Sequence, residues 1–318
     1  MYLNAAEQIS EYVSSCLQFA ILLEVSAYPK VGNVHRTADF EGTRYEHFLA
    51  SAVAIAPSFR EAAEHGVLVS RHKMSLEEVA VGKIIKDAVA GMASWQHGGN
   101  TLLGSIILLS PMAISAGLTF AKGKFSIAKL RKNLRSVVEA STAEDAVNLY
   151  DAVNIAQPGG LGKTPNLDVT DVASRKRILS ENISLYDVFK ISAPWDSVSS
   201  EWVNNYRITF DIGYPFLVNQ LELTRDINTV TVHLFLKIFS EVPDTLIARK
   251  EGVDTAKAIS TEAQSVLESG GLTTSEGRKA LQQFDQKLRD PAHRLNPGTT
   301  ADLTSAVLAL VVLDGYRP

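Results

Sequence analysis

Residues 102–120 contain no charged side chain, and this stretch limits most strongly what the chain can fold into. A helix rises about 1.5 Å per residue, so the stretch is roughly long enough to cross a bilayer. Polar and helix-disturbing residues such as Ser105, Ser110 and Pro111 dilute its apolar character. Because a helix that is apolar all round usually lies in a protein core, the stretch predicts a buried central helix and no membrane partner.

The rest of the chain also has helical signals. Ser141 with Glu144, and Thr273 with Glu276, fit the capping box that opens many helices. Residues 207–216 and 229–239 contain β-branched residues that also suit strands, although the helical context favours helix. The sequence therefore predicts an all-α fold, in which residues 1–318 form a single large multi-helix domain with buried central helices.

Composition excludes several classes of function. Hydrophobic residues make up 46% of the chain and charged residues 21%, which is typical of a globular protein. The net charge is −4 and no basic block is present, so a nucleic-acid partner is not indicated. The lone cysteine, Cys16, cannot form an internal disulfide, and the first residues lack a secretory pattern. These observations predict a cytoplasmic protein.

Four short polar segments carry glycine, proline or asparagine together with charged side chains, each beside a long apolar helix. They are residues 29–40, 98–101, 243–250 and 296–302, called here segments 1 to 4. Connections between helices need Gly, Pro or Asn for their backbone angles, but they do not need Lys, His, Arg and Asp as well. Such side chains hold anionic, phosphorylated ligands, so we expect the four segments to meet in one cleft.

Segment 1 follows Glu24, a carboxylate on an otherwise apolar part of the first helix. Gly32 would let the backbone approach a ligand closely, and Lys30 offers a compact cation for phosphate, expected to carry no core packing. A solvent-facing connection explains Arg36 equally well. It does not explain Glu24, which favours a functional site.

The other segments have the same design at helix starts. Segment 2 opens the longest apolar helix, where free amides can bind an anion or Asn100 can simply cap the helix. In segment 4, Asp302 lies in a first helical turn, where a carboxylate also complements the helix dipole. In segment 3, Asp244 follows Pro243 at the start of a helix. The glycine-rich residues 157–171 suggest a lid, and no motif typical of a transition-metal site is present.

The four segments together resemble the triphosphoribosyl-dephospho-coenzyme A synthase family, which are ATP:dephospho-CoA transferases that make the precursor of a lyase prosthetic group. Residues 24–34 are similar to the family's glutamate followed by Pro-Lys-Pro-Gly-Leu-Val. Residues 100–101, with Gly104 in register, are similar to its Asn-Thr-His-Lys-Gly. Residues 244–249 are similar to its Asp-Thr-Asn, and residues 296–303 to its Asn-Pro-Gly-Gly-Ser-Ala-Asp-Leu.

Two departures mark the chain as a divergent branch. The family's Gly-Ala-His-Arg-Asp-Met stretch is shortened to the neighbourhood of residues 35–40. Its His-Lys pair is replaced by Leu102 and Leu103, which removes a cation from the expected phosphate site. The resemblance implies an all-helical fold and a reaction in which a ribose hydroxyl of dephospho-CoA displaces adenine from ATP.

The resemblance also implies roles for individual residues. Glu24 or Asp39 would act as base or charge stabiliser, and Asp244 and Asp302 would hold the Mg²⁺ that accompanies ATP. The expected substrate-binding residues are Lys30, Gly32, Asn33, His35, Gly99, Asn100, Thr101, Arg249, Lys250, Asn296, Gly298, Thr299 and Thr300. The partners would be nucleotide and CoA-like substrates, with a homodimer left open.

Two alternatives stay open from the sequence. One is a transferase or hydrolase that acts on another phosphorylated nucleotide or cofactor precursor. The other is a nucleotide-binding protein without catalytic activity.

Overall fold

The computed structural model describes residues 5–162, 164 and 166–318, which form α-helices joined mostly by short connections. No β-strand occurs among these residues. The helices are α1 (Ala5–Ser26), α2 (Tyr45–Ala54), α3 (Ala56–Ser70), α4 (Val81–Trp95), α5 (Leu103–Ala121), α6 (Ile127–Glu139), α7 (Ala143–Ala156), α8 (Val172–Ser180), α9 (Leu185–Ser192), α10 (Ser197–Val203), α11 (Tyr214–Leu223), α12 (Ile227–Glu241), α13 (Thr245–Glu251), α14 (Val253–Glu268), α15 (Ser275–Leu288) and α16 (Gly298–Leu313). The all-α prediction is confirmed.

Both stretches with strand-like composition are helical. Residues 229–239 lie within α12, and Ile208–Gly213 forms a short π-helix that leads into α11. The buried carboxylate of Glu201 accepts hydrogen bonds from the backbone amides of Ile208 and Thr209, at 2.7 and 2.9 Å. This carboxylate satisfies amides that the helix start leaves without partners, and such a tertiary contact is not readable from local composition.

Two predicted helix starts are wrong by one residue. Thr142 caps α7, where its hydroxyl accepts from the amide of Asp145 at 3.2 Å and the Asp145 carboxylate accepts from the Thr142 amide at 2.8 Å. Thr274 caps α15 by accepting from the Gly277 amide at 2.9 Å. Each cap is therefore the second hydroxyl of a pair, and spacing alone did not separate the two candidates.

Helix α5 is the centre of the core, as its apolar sequence predicts. It packs against α1, α3, α6 and α16. By length and composition it could cross a membrane, but 89% of its most apolar stretch is buried within the protein. Pro111 lies inside this helix and has no amide for the carbonyl of Ile107, which instead accepts from the indole N–H of Trp202 at 3.2 Å.

Buried apolar side chains form two clusters. The larger one surrounds α5 and α16, and the smaller one is formed mainly by α12 to α15. Helix α12 contributes to both, because Val230 and Leu234 pack in the larger cluster while Phe235 and Phe239 pack in the smaller one. The clusters therefore meet through one helix, and the single-domain expectation stays a prediction.

Candidate active site

A cleft of about 480 Å³ lies where the starts of α5 and α16 meet the ends of α7, α9 and α13. Each of the four polar segments contributes to its lining, so the structure brings them together as expected. The contributing residues are Asn33 from segment 1, Gly98, Asn100 and Thr101 from segment 2, Leu246, Arg249 and Lys250 from segment 3, and Asn296, Gly298, Thr299, Ala301 and Asp302 from segment 4.

Asp302 connects the beginnings of the two central helices. It does not lie in the first turn of α16 as expected, because this helix already begins at Gly298. Its Oδ1 accepts from the backbone amide of Ser105 at 2.7 Å and from the Ser105 hydroxyl at 2.6 Å. Gly104 is required at this contact, since a Cβ there would lie 2.1 Å from Oδ2 of Asp302. Desolvation raises the pKa of Asp302 to about 7, and the negative charge of Glu24 adds to this, while the bonds from Ser105 act in the opposite direction.

Glu24 also lines the cleft, and its partner is Lys30. The ammonium of Lys30 pairs with Oε1 of Glu24 and donates to the Glu24 carbonyl at 3.3 Å. Lys30 is only 1% exposed and does not line the cleft. Burial raises the pKa of Glu24 and lowers that of Lys30. The expectation of a free cation without core packing is therefore wrong for Lys30, which balances a buried carboxylate instead.

Three further residues of segment 1 lie outside the cleft lining. Gly32 has φ +64° and approaches a helix rather than open space, because a Cβ there would lie 2.6 Å from Cβ of Leu288. His35 is buried, and desolvation lowers its pKa to about 3. Asp39 is exposed and accepts from the backbone amide of Tyr45 at 2.8 Å, at the start of α2. We therefore retain Glu24 and not Asp39 as the catalytic candidate.

Asp244 is buried and serves as a structural cap. Its Oδ1 accepts from the amides of Leu246 and Ile247, at 2.9 and 3.1 Å. Its Oδ2 accepts from the amide and hydroxyl of Thr300, at 2.7 and 2.8 Å. Both oxygens are occupied and neither Asp244 nor Thr300 lines the cleft, so we do not retain Asp244 as a metal ligand or Thr300 as a substrate contact. Gly99, with φ +77°, is also absent from the lining.

The basic side chains of the described cleft lining are Arg249 and Lys250, in the last turn of α13. Arg249 forms an ion pair with Asp196 at 2.6 Å. Lys250 donates to the carbonyl of His293 at 3.0 Å, and burial lowers its pKa. The carboxylate of Asp196 and the side-chain amide of Asn296 line the same cleft. The buried Oδ1 of Asn296 has no hydrogen-bond partner among the described residues. A ligand with both anionic and donor groups fits this arrangement.

One side of the cleft is apolar. Leu102, Leu103 and Ile107 contribute from the start of α5, where the resembling family has a His-Lys pair. Apolar residues of α7 and α9 and part of the expected lid extend this wall. These are Leu149, Val153, Val188, Phe189, Ile191, Leu161, Leu167 and Val169; Lys163 and Pro165 of the same lid stretch lie outside the described residues.

The connection between α9 and α10 is a part of the site that the sequence did not single out. Trp195 and Asp196 both line the cleft. In the sequence, the available signal for this connection was Trp195 beside Pro194. This signal is weak, because no glycine accompanies the two residues as in the polar segments.

A metal held by the protein alone does not fit the described residues, which contain no group of three or more His, Cys, Asp or Glu side chains placed to hold one. Mg²⁺ arriving on a triphosphate needs only one or two carboxylates. Within the described part of the chain, hydrogen bonds reach Oδ1 of Asp302 and Oε1 of Glu24. The second oxygen of each carboxylate therefore suits such an ion.

The all-helical scaffold and a cleft lined by buried carboxylates, cations and an apolar wall fit an enzyme that binds an anionic ligand. The chain belongs to the ATP:dephospho-CoA triphosphoribosyl transferase family, whose family model matches residues 10–318. It is thus a transferase, as the resemblance implied.

Similar proteins match along most of the chain. A "probable 2-(5''-triphosphoribosyl)-3'-dephosphocoenzyme-A synthase" of Pseudomonas fluorescens (strain Pf0-1) is 25% identical over 95% of this chain and 91% of its own. A protein of the same description from Streptococcus mutans is 23% identical over 93% of this chain and 94% of its own. A crystal structure assigned as a triphosphoribosyl-dephospho-CoA synthase of Archaeoglobus fulgidus, 22% identical, superposes with a TM-score of 0.61 over 85% of this chain and 100% of that one, and supports the fold.

Proposed function

We propose that this enzyme transfers the triphosphoribosyl group of ATP to a ribose hydroxyl of dephospho-CoA and releases adenine. Membership of the family supports the reaction. The observation that carries the site assignment is the pair of desolvated carboxylates, Glu24 and Asp302, which line the same cleft as Arg249 and Lys250. Substitution at an anomeric carbon passes through an oxocarbenium-like transition state, which nearby carboxylates stabilise.

Asp302 is the residue that moves the proton. The acceptor hydroxyl forms the new bond to C1′ as the bond from C1′ to the adenine nitrogen breaks, and the electron pair leaves with adenine. The hydroxyl proton passes to Oδ2 of Asp302, and adenine takes up a proton on leaving, so the reaction is balanced. A carboxyl whose pKa lies at about 7 exchanges protons efficiently at neutral pH.

The remaining polar residues bind the triphosphate. Mg²⁺ would enter as part of the ATP substrate and supply charge neutralisation, with Glu24 as the carboxylate that holds it, because Oδ2 of Asp302 takes up the proton. Arg249 and Lys250 contact phosphate oxygens at the end of α13. Asn33, Asn100, Asn296 and Thr299 offer hydrogen bonds from the other walls.

The apolar wall favours a second candidate function. Leu102 and Leu103 are buried at the start of α5 and supply no cation to a phosphorylated ligand. A different acceptor, such as another phosphorylated cofactor precursor with a more apolar body, would suit this wall. The chemistry at the carboxylates would be the same.

An assay of adenine release tests the proposal. The full chain is incubated with Mg²⁺-ATP and dephospho-CoA, and free adenine and the coupled product are quantified by chromatography. Release that depends on dephospho-CoA supports the proposal, whereas release only with another acceptor supports the second candidate. Binding of ATP without any release would contradict both, and Asp302→Asn serves as the inactive control.

The cellular setting follows from the substrates. ATP and CoA precursors are intracellular metabolites, so we also propose a cytoplasmic enzyme, in agreement with the single free cysteine, Cys16. A homodimer stays a prediction.

A further inference from the structure

The connection between α9 and α10 places one large aromatic side chain at the cleft without covering it. Trp195 lines the cleft and is 46% exposed. The other aromatic residues of the described lining are engaged elsewhere. Phe189 packs edge-to-face against Trp202, Tyr150 is buried and donates to the Leu167 carbonyl at 2.5 Å, and Phe48 packs against the core.

The polar end of Trp195 is also free. Its indole N–H has no hydrogen-bond partner among the described residues, whereas the indole N–H of Trp202 donates to the Ile107 carbonyl at 3.2 Å. A tryptophan with an exposed face and an unused donor, on the wall of a cleft, has both groups available for a ligand. Burial alone therefore does not account for an indole at this position.

The backbone around Trp195 is fixed on both sides. The amides of Trp195 and Asp196 each donate to the Ser192 carbonyl at 3.0 Å, at the end of α9. The Asp196 carboxylate caps α10 by accepting from the Ser199 amide at 2.8 Å, and it pairs with Arg249 at 2.6 Å. The indole is therefore attached to a rigid support that also positions a cation for phosphate.

We infer that Trp195 is the stacking surface for the adenine ring of a nucleotide substrate. A heteroaromatic base stacks on an indole face, and the indole N–H, which lies in the ring plane, is left to donate to a ribose or phosphate oxygen of the same nucleotide. The adjacent Arg249 and Lys250 suit the phosphates that every adenine nucleotide carries. A purely apolar ligand would form no hydrogen bond with the free indole N–H and no ion pair with the neighbouring cations.

This inference rests on the proposed function, because ATP and dephospho-CoA are its adenine-bearing substrates. The common chemistry is the adenine ring, and the experiment distinguishes the two sources. Dissociation constants are measured by calorimetry for ATP, for dephospho-CoA and for inorganic tripolyphosphate, which has no base. The variants are Trp195→Ala, Trp195→Phe, and the matched control Trp95→Ala, which removes a 61% exposed indole outside the cleft.

Loss of a base-stacking aromatic ring weakens nucleotide binding by about 5- to 150-fold. Trp195→Ala should show such a loss for ATP or for dephospho-CoA, and the affected nucleotide is the one whose adenine lies on Trp195. Tripolyphosphate binding should stay unchanged, Trp195→Phe should recover most of the affinity, and Trp95→Ala should match the unsubstituted chain. Because the indole is exposed, thermal unfolding should change little.

Three results would overturn the inference. They are unchanged binding of both nucleotides by Trp195→Ala, an equal loss for tripolyphosphate, and an unsubstituted chain that binds no adenine nucleotide. The proposed function fails by a separate readout, the absence of adenine release. A chain that releases no adenine but binds a nucleotide through Trp195 would therefore refute the function and support the stacking role.

Discussion

Replacing Lys30 by methionine should destabilise the protein strongly. The variant keeps most of the aliphatic stem but leaves the Glu24 carboxylate buried without its cation. Removing one partner of a buried ion pair typically costs about 3–5 kcal/mol of unfolding free energy. The stem fills much the same volume, so a cavity adds little to this value. We expect a loss in this range at pH 7.5, measured from urea unfolding midpoints and slopes.

A matched control and a second variant isolate the charge. Lys83→Met removes an exposed partner of Asp87 and should cost about 0–1 kcal/mol. Adding Glu24→Gln to Lys30→Met removes the uncompensated carboxylate and should recover most of the lost stability. A double variant as unstable as Lys30→Met would show that packing of the lysine stem, and not charge, causes the loss.

The pH dependence has a definite sign. Burial already raises the pKa of Glu24 above its usual 4.5, and loss of the ammonium raises it further. A carboxyl with a raised pKa in the folded state destabilises that state above the pKa of the unfolded chain. The deficit of Lys30→Met relative to the unsubstituted chain should therefore shrink as the pH falls from neutral toward 4.5. A deficit that is below about 1 kcal/mol, or independent of pH, would refute the reasoning.

Three further substitutions test the cleft. Because the pKa of Asp302 is about 7, kcat/KM should rise with pH up to that value and then level off. Asp302→Asn should lose this pH dependence and about 10²- to 10⁴-fold in rate. An unchanged pH profile in this variant would exclude Asp302 as the base. Gly104→Ala places a Cβ 2.1 Å from Oδ2 of Asp302 and should lower kcat, so full activity would contradict the contact. Arg249→Ala should weaken tripolyphosphate binding about 10- to 150-fold, whereas Arg135→Ala, an exposed control, should not, and equal affinities would place the phosphates elsewhere.

Local signals made much of the fold predictable. The apolar pattern of residues 102–120 lies within a single helix and is explained by the burial of that helix. The sequence alone was therefore enough to identify α5 as the central helix of the core. The polar segments led to Asn33, Asn100, Arg249 and Asp302 on one cleft. For Asn100 and Asp302 the reason is local, because the start of a helix fixes where the side chains near it point. Local signals still left errors of one residue. Thr142 and not the expected Ser141 caps α7, because either hydroxyl satisfies the sequence pattern of a helix N-cap.

Contacts between distant or turning parts of the chain were not predictable. Two tight turns follow one another at the end of segment 1 and just after it, with bridges between His35 and Ala38 and between Phe40 and Thr43. They separate Asp39 from the cleft, although Asp39 is only six residues from Asn33, which lines it. Lys30 turns back on the helix that carries Glu24. Glu24 on an apolar helix face indicated an unusual site. The spacing of residues in the sequence could not show that its partner is Lys30, the lysine that was expected to bind phosphate.

The charges of the cleft support the proposal that a divalent ion enters together with the substrate. Three carboxylates line it, Glu24, Asp196 and Asp302, and one of its two described cations, Arg249, already pairs with Asp196. A bare triphosphate would add negative charge to a site where burial and mutual repulsion already raise the pKa of Asp302. Mg²⁺ on the triphosphate would reverse this balance, because Glu24, whose charge repels the free anion, would become a ligand for the ion that the triphosphate carries. The replacement of a His-Lys pair by Leu102 and Leu103 is therefore compatible with triphosphate binding, provided that the metal supplies the missing positive charge.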